Sequence, residues 1–351
     1  MEDAVDLFSQ QQSNRVRSRL LIAGFIAFFA WLGFGGDWLL WQFTIGGPRE
    51  AYHHTFPFVG VALTLVAVIG AIIAWRRGPE RVLWSTNAFE IVEPATEQER
   101  RLVNIVEEMA IAGGIPRPRI WIVPDEDPNA FATGRDVNNA HIAVTAGLLE
   151  RLDRDELQAV IAHELGHVKN LDVRLMTLLA ALVGAVALVG DFMQRFFRGG
   201  GRIRGGSFSS GSRSGGGKKG GNPLVIVVLV LWILSWLLAP LVTRLLALGV
   251  SRKREYLADA MSAQFTRNPG ALASALEKIE HEAAPTKSIK RGSAHLCIAD
   301  PLGRRLSSQQ GFVAELFGTH PPMAIRVSKL KAMAYQADVR GRMSDVEQRP
   351  A

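Results

Sequence analysis

Four apolar blocks, at residues 20–43, 57–75, 175–192 and 223–248, constrain this chain more than anything else in it. The first two each run for about 20 residues, enough for a helix to cross a hydrocarbon core of about 30 Å. In lipid, only a helix or a closed barrel satisfies every backbone N–H and C=O, so these blocks are expected to be two transmembrane helices joined by a short external loop. Asp37 and the neighbouring glycines interrupt the first block, whose apolar part is expected to end near Gly36. Blocks three and four leave two readings open, a full transmembrane hairpin or a hairpin docked from the cytoplasmic side. Pro240 and Arg244 inside the fourth are compatible with both.

Charge orients the first pair. Arg15, Arg17 and Arg19 precede block one and Arg76, Arg77 and Arg81 follow block two, while the loop between them offsets Arg49 with Asp37 and Glu50. Basic flanks stay on the cytoplasmic side, so the amino terminus and the region after Trp75 are expected there. The apolar stretch is longer than a signal-peptide core and lacks a small-residue cleavage site, so it reads as an anchor. These flanks also account for the formal net charge of +7. Basic residues interleaved with aromatics on one face are missing, so the expected partner is a lipid bilayer and not nucleic acid. The blocks show no paired inverted halves, which disfavours a transporter.

The 351 residues divide accordingly: a cytoplasmic lead at 1–19, two spans at 20–75, a first catalytic part at 80–174, the hydrophobic hairpin at 175–248 with a Gly-rich basic loop at 198–222, a second catalytic part at 249–336, and a flexible tail at 337–351. The first catalytic part has α+β patterning. Thr96 and Glu99 form a capping-box pair opening a helix that should stop at Gly113-Gly114, and residues 119–123 and 140–145 read as strands. Asp153 and Glu156 form a second capping box. A further helix is expected from residue 252 to the break at Asn268-Pro269-Gly270, and residues 285–311 have the composition of a flap.

The second capping box opens the segment that carries the chemistry, Ala159-Val-Ile-Ala-His163-Glu164-Leu-Gly-His167. On a helix, residues four apart share a face, so His163 and His167 can offer two imidazole nitrogens to one zinc ion. Glu164 beside them is placed to take a proton from water at that ion. Ala, Val, Ile, Leu and Gly around the box argue against a solvated helix face. Downstream, Glu255 and Asp259 repeat the four-residue spacing. Glu255 is a candidate third ligand and Asp259 a candidate hydrogen-bond partner for the far nitrogen of a ligand His; taken alone, Glu255 reads more readily as a surface partner of Arg252 or Arg254, and coupling to the His box reverses that. Cys297 is the single cysteine, which excludes an internal disulfide and a Cys₄ zinc site.

The ordered set His163-Glu164-x-x-His167, Glu255-x-x-x-Asp259 and Thr319-His320-Pro-Pro with Arg326 resembles membrane-bound zinc metalloproteases of the HtpX type, within the broader family that includes CAAX prenyl endopeptidases. The resemblance spans roughly residues 80 to 335. It implies a mainly α membrane protein with a cytoplasmic, gluzincin-type α+β protease domain in a bacterial-type inner membrane. It further implies one zinc on His163, His167 and Glu255, Glu164 as general base, and peptides or membrane proteins as substrates in quality control or stress response. CAAX-type processing and a catalytically idle adaptor are the alternatives. By the same resemblance, His320 stabilises an oxyanion and Arg326 fixes its segment. Asn129, Ala130 and Phe131, or else the strand at 141–145, are the candidates to pair with substrate backbone. His141 is expected to be a strand residue, not a ligand.

Overall fold

The computed structural model describes residues 7–49, 51–182, 223–248, 252–281, 296–298 and 321–347. In chain order its elements are α1 (Leu7–Thr44), α2 (Phe58–Ser85), β1 (Phe89–Glu90), α3 (Glu97–Gly113), β2 (Arg119–Val123), β3 (Ala130–Gly134), β4 (Ala140–Thr145), α4 (Ala146–Arg151), α5 (Arg154–Lys169), α6 (Pro223–Leu248), α7 (Arg252–Thr266), α8 (Pro269–His281) and α9 (Met323–Glu347). The chain is mostly helical and divides into two units. One comprises residues 20–73 and 182–245; the other comprises 1–19, 74–181 and 246–351.

The first unit holds residues 20–44 of α1 and 58–73 of α2, two helices long and apolar enough to cross a membrane. Trp31, Phe34, Leu65, Val66 and Ile69 are exposed, a surface that suits lipid and not water. The α1 helix runs past Gly36, where the apolar part of its sequence is expected to end. It continues to Thr44 because Asp37 finds partners: its carboxylate accepts from Val59 N at 3.3 Å and Gly60 N at 2.5 Å, capping α2, and lies 2.7 Å from His54 Nε2. A buried carboxylate satisfied in this way carries little of the penalty that the sequence pattern suggested. Gly33 lets the two helices meet, since a Cβ there would sit 2.7 Å from Gly60 Cα. Block four is helical as α6; residues 183–222, with the rest of block three and the Gly-rich loop, lie outside the described residues.

The second unit is built on a four-stranded sheet of order β1-β2-β4-β3, in which β2 and β4 run parallel and β1 and β3 pair antiparallel to their neighbours. Both capping boxes form, at Thr96–Glu99 and at Asp153–Glu156. Left-handed Gly114 (φ 63°) closes α3. Glu156 is itself held from α8 by Lys278 and Ser274, each at 2.7 Å. The core gathers Leu102, Ile105, Ile120, Ile142, Leu157, Ile161, Leu165 and Leu276 around α5, which is buried along nearly its whole length from Glu156 to Gly166. Burial on all sides suits the small and apolar residues that flank the two histidines in α5. The α9 helix runs to Glu347, well into the stretch expected to be a tail, and no proline lies between Pro322 and Pro350.

His141 sits in β4 and accepts a hydrogen bond at Nδ1 from Trp121 Nε1, 3.1 Å away. Burial, assisted by the nearby Arg119 charge, pushes its imidazole down to about 4, so it is a neutral strand residue.

Candidate metal centre

Three side chains from two helices converge inside the second unit. His163 and His167 of α5 and Glu255 of α7 each offer a ligand atom, all within 4.8 Å of one another. The imidazoles stand edge to face, 4.8 Å between centroids. Each turns Nε2 toward Glu255, at 3.7 Å for His163 and 3.6 Å for His167. The other nitrogen faces an aspartate in both cases. His163 Nδ1 lies 2.9 Å from Asp259 Oδ1, and His167 Nδ1 lies 3.1 Å from Asp172 Oδ2. The helices are tied close to the site, with Ser262 Oγ donating to the Ala159 carbonyl at 2.7 Å.

Glu255 is buried beside the imidazoles, not paired on the surface. Arg326, fully buried, grips Asp259 with Nη2 on Oδ1 at 2.7 Å and Nε on Oδ2 at 3.0 Å, and reaches the Ile298 carbonyl at 3.2 Å. It thus belongs to the site itself. His320 lies outside the described residues.

The charges of the site ask for a cation. Glu164, Glu255, Asp259 and Asp172 set four carboxylates against the guanidiniums of Arg254 and Arg326, every one of the six at most 4% exposed. That is two more carboxylates than guanidiniums in a buried setting, an excess that a proton on His163 or a bound cation offsets. Two imidazoles and a carboxylate are donors that suit zinc and leave a position for water. Glu164 Oε2 is also buried without a hydrogen-bond partner, as expected of an atom that serves a guest.

The local fields are strong. Burial pushes the Glu164 carboxyl up. It also pushes Asp259 up, but the Arg326 charge and the His163 and Arg326 hydrogen bonds win and hold Asp259 at about 2. For His163, burial acts downward and is outweighed by the Asp259 and Glu255 bonds, which lift the imidazole to about 9. An imidazole surrounded by carboxylates in this way is a basic nitrogen that favours any cation, proton or metal.

Asp172 carries no signal in the sequence pattern, and Arg254, which reads there as a surface partner of Glu255 or a headgroup contact, is instead buried at 2% exposure. Asp172 follows His167 by five residues, a spacing that would put it on another face of a continuous helix. Leu171 breaks the helix with φ 59°, a conformation bulky residues rarely adopt, and that kink returns Asp172 to His167. Arg254 Nη1 lies 3.7 Å from Asp172 Oδ1. Glu164, His167 and Glu255 open onto a pocket shared with Ala132, Arg254 and Cys297.

Of the two substrate-pairing candidates, β4 has neighbours on both sides and β3 lies at the sheet edge. Asn129, Ala130 and Phe131 are there, all buried. The outer edge is partly taken by the chain itself: Ile298 N donates to the Ala130 carbonyl at 2.9 Å, and Cys297 bridges Phe131.

Comparison with known proteins follows the same stretch of chain. The model of peptidase family M48 matches residues 96–334. Proteins named protease HtpX homolog are similar: that of Tropheryma whipplei (strain Twist) is 45% identical over 236 residues, covering 67% of this chain and 73% of the relative. That of Dictyoglomus turgidum is 40% identical over 276 residues, 78% and 82% respectively. That of Limosilactobacillus reuteri is 35% identical over 327 residues, covering 93% of this chain and all of its own. Among solved structures, S. mikatae Ste24p gives a TM-score of 0.42 at 17% identity, over 93% of this chain and 66% of that one.

Proposed function

Because the chain belongs to peptidase family M48, we propose that it is an integral-membrane zinc endopeptidase with His163, His167 and Glu255 as metal ligands and Glu164 as general base. The observation that carries this reading is the convergence of two Nε2 atoms on Glu255 while an aspartate faces each Nδ1. When bound, zinc supplies Lewis acidity, lowering the pKa of water from about 15.7 toward about 7 and polarising a carbonyl.

The protein's own groups supply the rest. Asp259 and Asp172 hold the proton on each Nδ1, which fixes the tautomer and leaves both Nε2 lone pairs directed inward. Arg326 keeps Asp259 ionised and in place. Glu164, raised by burial and with Oε2 unpartnered, accepts a proton from the attacking water and delivers it to the departing amine. His320 stabilises the oxyanion. Substrate backbone runs along the β3 edge at Asn129, Ala130 and Phe131, where it must replace or continue the pairing now made by Leu296–Ile298.

Residues 80–174 and 249–336 form the catalytic part, facing the cytoplasm of a bacterial-type inner membrane as the basic flanks dictate. Peptides and membrane proteins are the substrates, in a quality-control or stress role. Casein cleavage by detergent-purified protein tests the assignment. The wild type should cleave and lose activity to a chelator, and Glu164→Gln should bind zinc yet be inactive. A Glu164→Gln variant as fast as wild type would remove Glu164 from the mechanism.

A further inference from the structure

The amino-terminal lead, which sequence reading treated as a cytoplasmic flank, reaches the metal centre. Gln11, Asn14 and Ser18 stand three and four residues apart on α1, so they share one face of the helix. That face is buried, with Asn14 and Ser18 both 0% exposed. Gln11 Nε2 donates to the Lys169 carbonyl at 2.7 Å, at the end of α5. Ser18 Oγ donates to the Asn14 carbonyl at 2.8 Å, within α1. Asn14 goes further. Its amide nitrogen donates one hydrogen to the Asn170 carbonyl at 3.0 Å and the other to Asp172 Oδ1 at 2.7 Å. Both partners are pure acceptors, so the orientation of the amide is fixed by its surroundings.

Asp172 is the group that faces His167. Its two oxygens are divided: Oδ2 lies 3.1 Å from His167 Nδ1, while Oδ1 holds Asn14 and has Arg254 Nη1 at 3.7 Å. Arg254 is buried, and its Nε and Nη1 make no hydrogen bond. An ionised carboxylate beside such a guanidinium is drawn to rotate toward it and form a bidentate pair. That rotation would take Oδ2 away from His167. The Asn14 bond opposes it by holding Oδ1 in the present orientation, and the second Asn14 bond anchors the amide to the backbone beside the Leu171 kink.

We infer that Asn14 is a positioning residue of the metal centre, acting through Asp172 to hold His167 with Nε2 directed at the metal. The inference rests on the zinc assignment above. It makes the lead a structural component of the catalytic machinery.

The test is zinc affinity, measured by competition with a chelator of known affinity on the full-length protein in detergent. Losing an outer partner of a ligand His typically costs about 10- to 100-fold, so Asp172→Ala should fall in that range and Asn14→Ala should lose about 3- to 10-fold. In an Asp172→Ala background, Asn14→Ala should cost nothing more, because its route is already cut. Ser18→Ala perturbs the same buried face without touching Asp172, and it should keep wild-type affinity even where it lowers stability. Should Asn14→Ala fail to fold, Asn14→Asp, which keeps the shape but sets a like charge against Asp172, should show at least the same loss. Unchanged affinity in the Asn14 variants, an equal loss in Ser18→Ala, or independent losses in the double variant would each overturn the inference. A wild-type protein that binds no zinc would overturn the metal assignment itself, and this inference with it.

Discussion

Replacing Arg326 with Met should destabilise the catalytic unit more than any surface change can. Arg326 is fully buried, makes two bonds to Asp259 and one to the Ile298 carbonyl, and lies 3.5 Å from His163 Nε2. Met fills most of the volume and supplies none of the donors. Asp259, 3% exposed, then loses its guanidinium partner and keeps the His163 imidazole 2.9 Å away; removing one member of a buried pair costs about 3–5 kcal/mol. At roughly 2–4 °C per kcal/mol for a unit of this size, the midpoint should fall by roughly 6–20 °C. The assay is thermal unfolding of chelator-stripped protein, followed by near-ultraviolet circular dichroism so that metal release does not contribute. Lys331→Ala is the control on the same helix: its 2.6 Å pair with Glu277 is 59% and 40% exposed, and such pairs contribute about 0–1 kcal/mol. Arg326→Lys should fall between the two, since an ammonium cannot reproduce the planar fork. An Arg326→Met midpoint no lower than that of Lys331→Ala would refute the reasoning.

Two further outcomes follow from other parts of the molecule. His141 is neutral in the fold, its value depressed from 6.5 to about 4, so unfolded chain binds the extra proton between those limits; stability should decline as pH falls from about 6.5 to about 4 and level off below. The full effect is at most about 3 kcal/mol, and His141→Gln should flatten that part of a denaturant-midpoint profile recorded against pH. In the membrane unit, a side chain at Gly33 would meet Gly60 backbone at 2.7 Å, whereas Gly24 has nothing within 4 Å. Gly33→Leu should therefore abolish a monodisperse detergent-purified species on gel filtration, and Gly24→Leu should not.

The part of the site that lies on regular helices was legible from spacing. His163 with His167, and Glu255 with Asp259, are i, i+4 pairs, and a helix places such pairs on one face whatever the rest of the fold does. The capping boxes at Thr96 and Asp153 were legible because they are local, each complete within four residues. What stayed hidden depends on breaks and on distance along the chain. Asp172 reaches His167 only through the positive φ of Leu171, which no periodicity announces. Asn14 acts across 158 positions, and its only trace in the sequence is a polar stripe with Gln11 and Ser18. Asp37 looked like a flaw in an apolar helix because its partners, Gly60 N and His54, come from the far side of a loop. That β3 and not β4 lies at the edge follows from sheet order, which two strand-like patterns do not contain.

Two imidazoles and one carboxylate are proposed to hold a zinc ion. Metal analysis of detergent-purified wild type and Glu255→Ala, by plasma mass spectrometry after exhaustive dialysis, tests this most directly. The expected result is close to one zinc per chain in wild type and close to none in the variant. One zinc per chain in both, or none in wild type, would contradict the account.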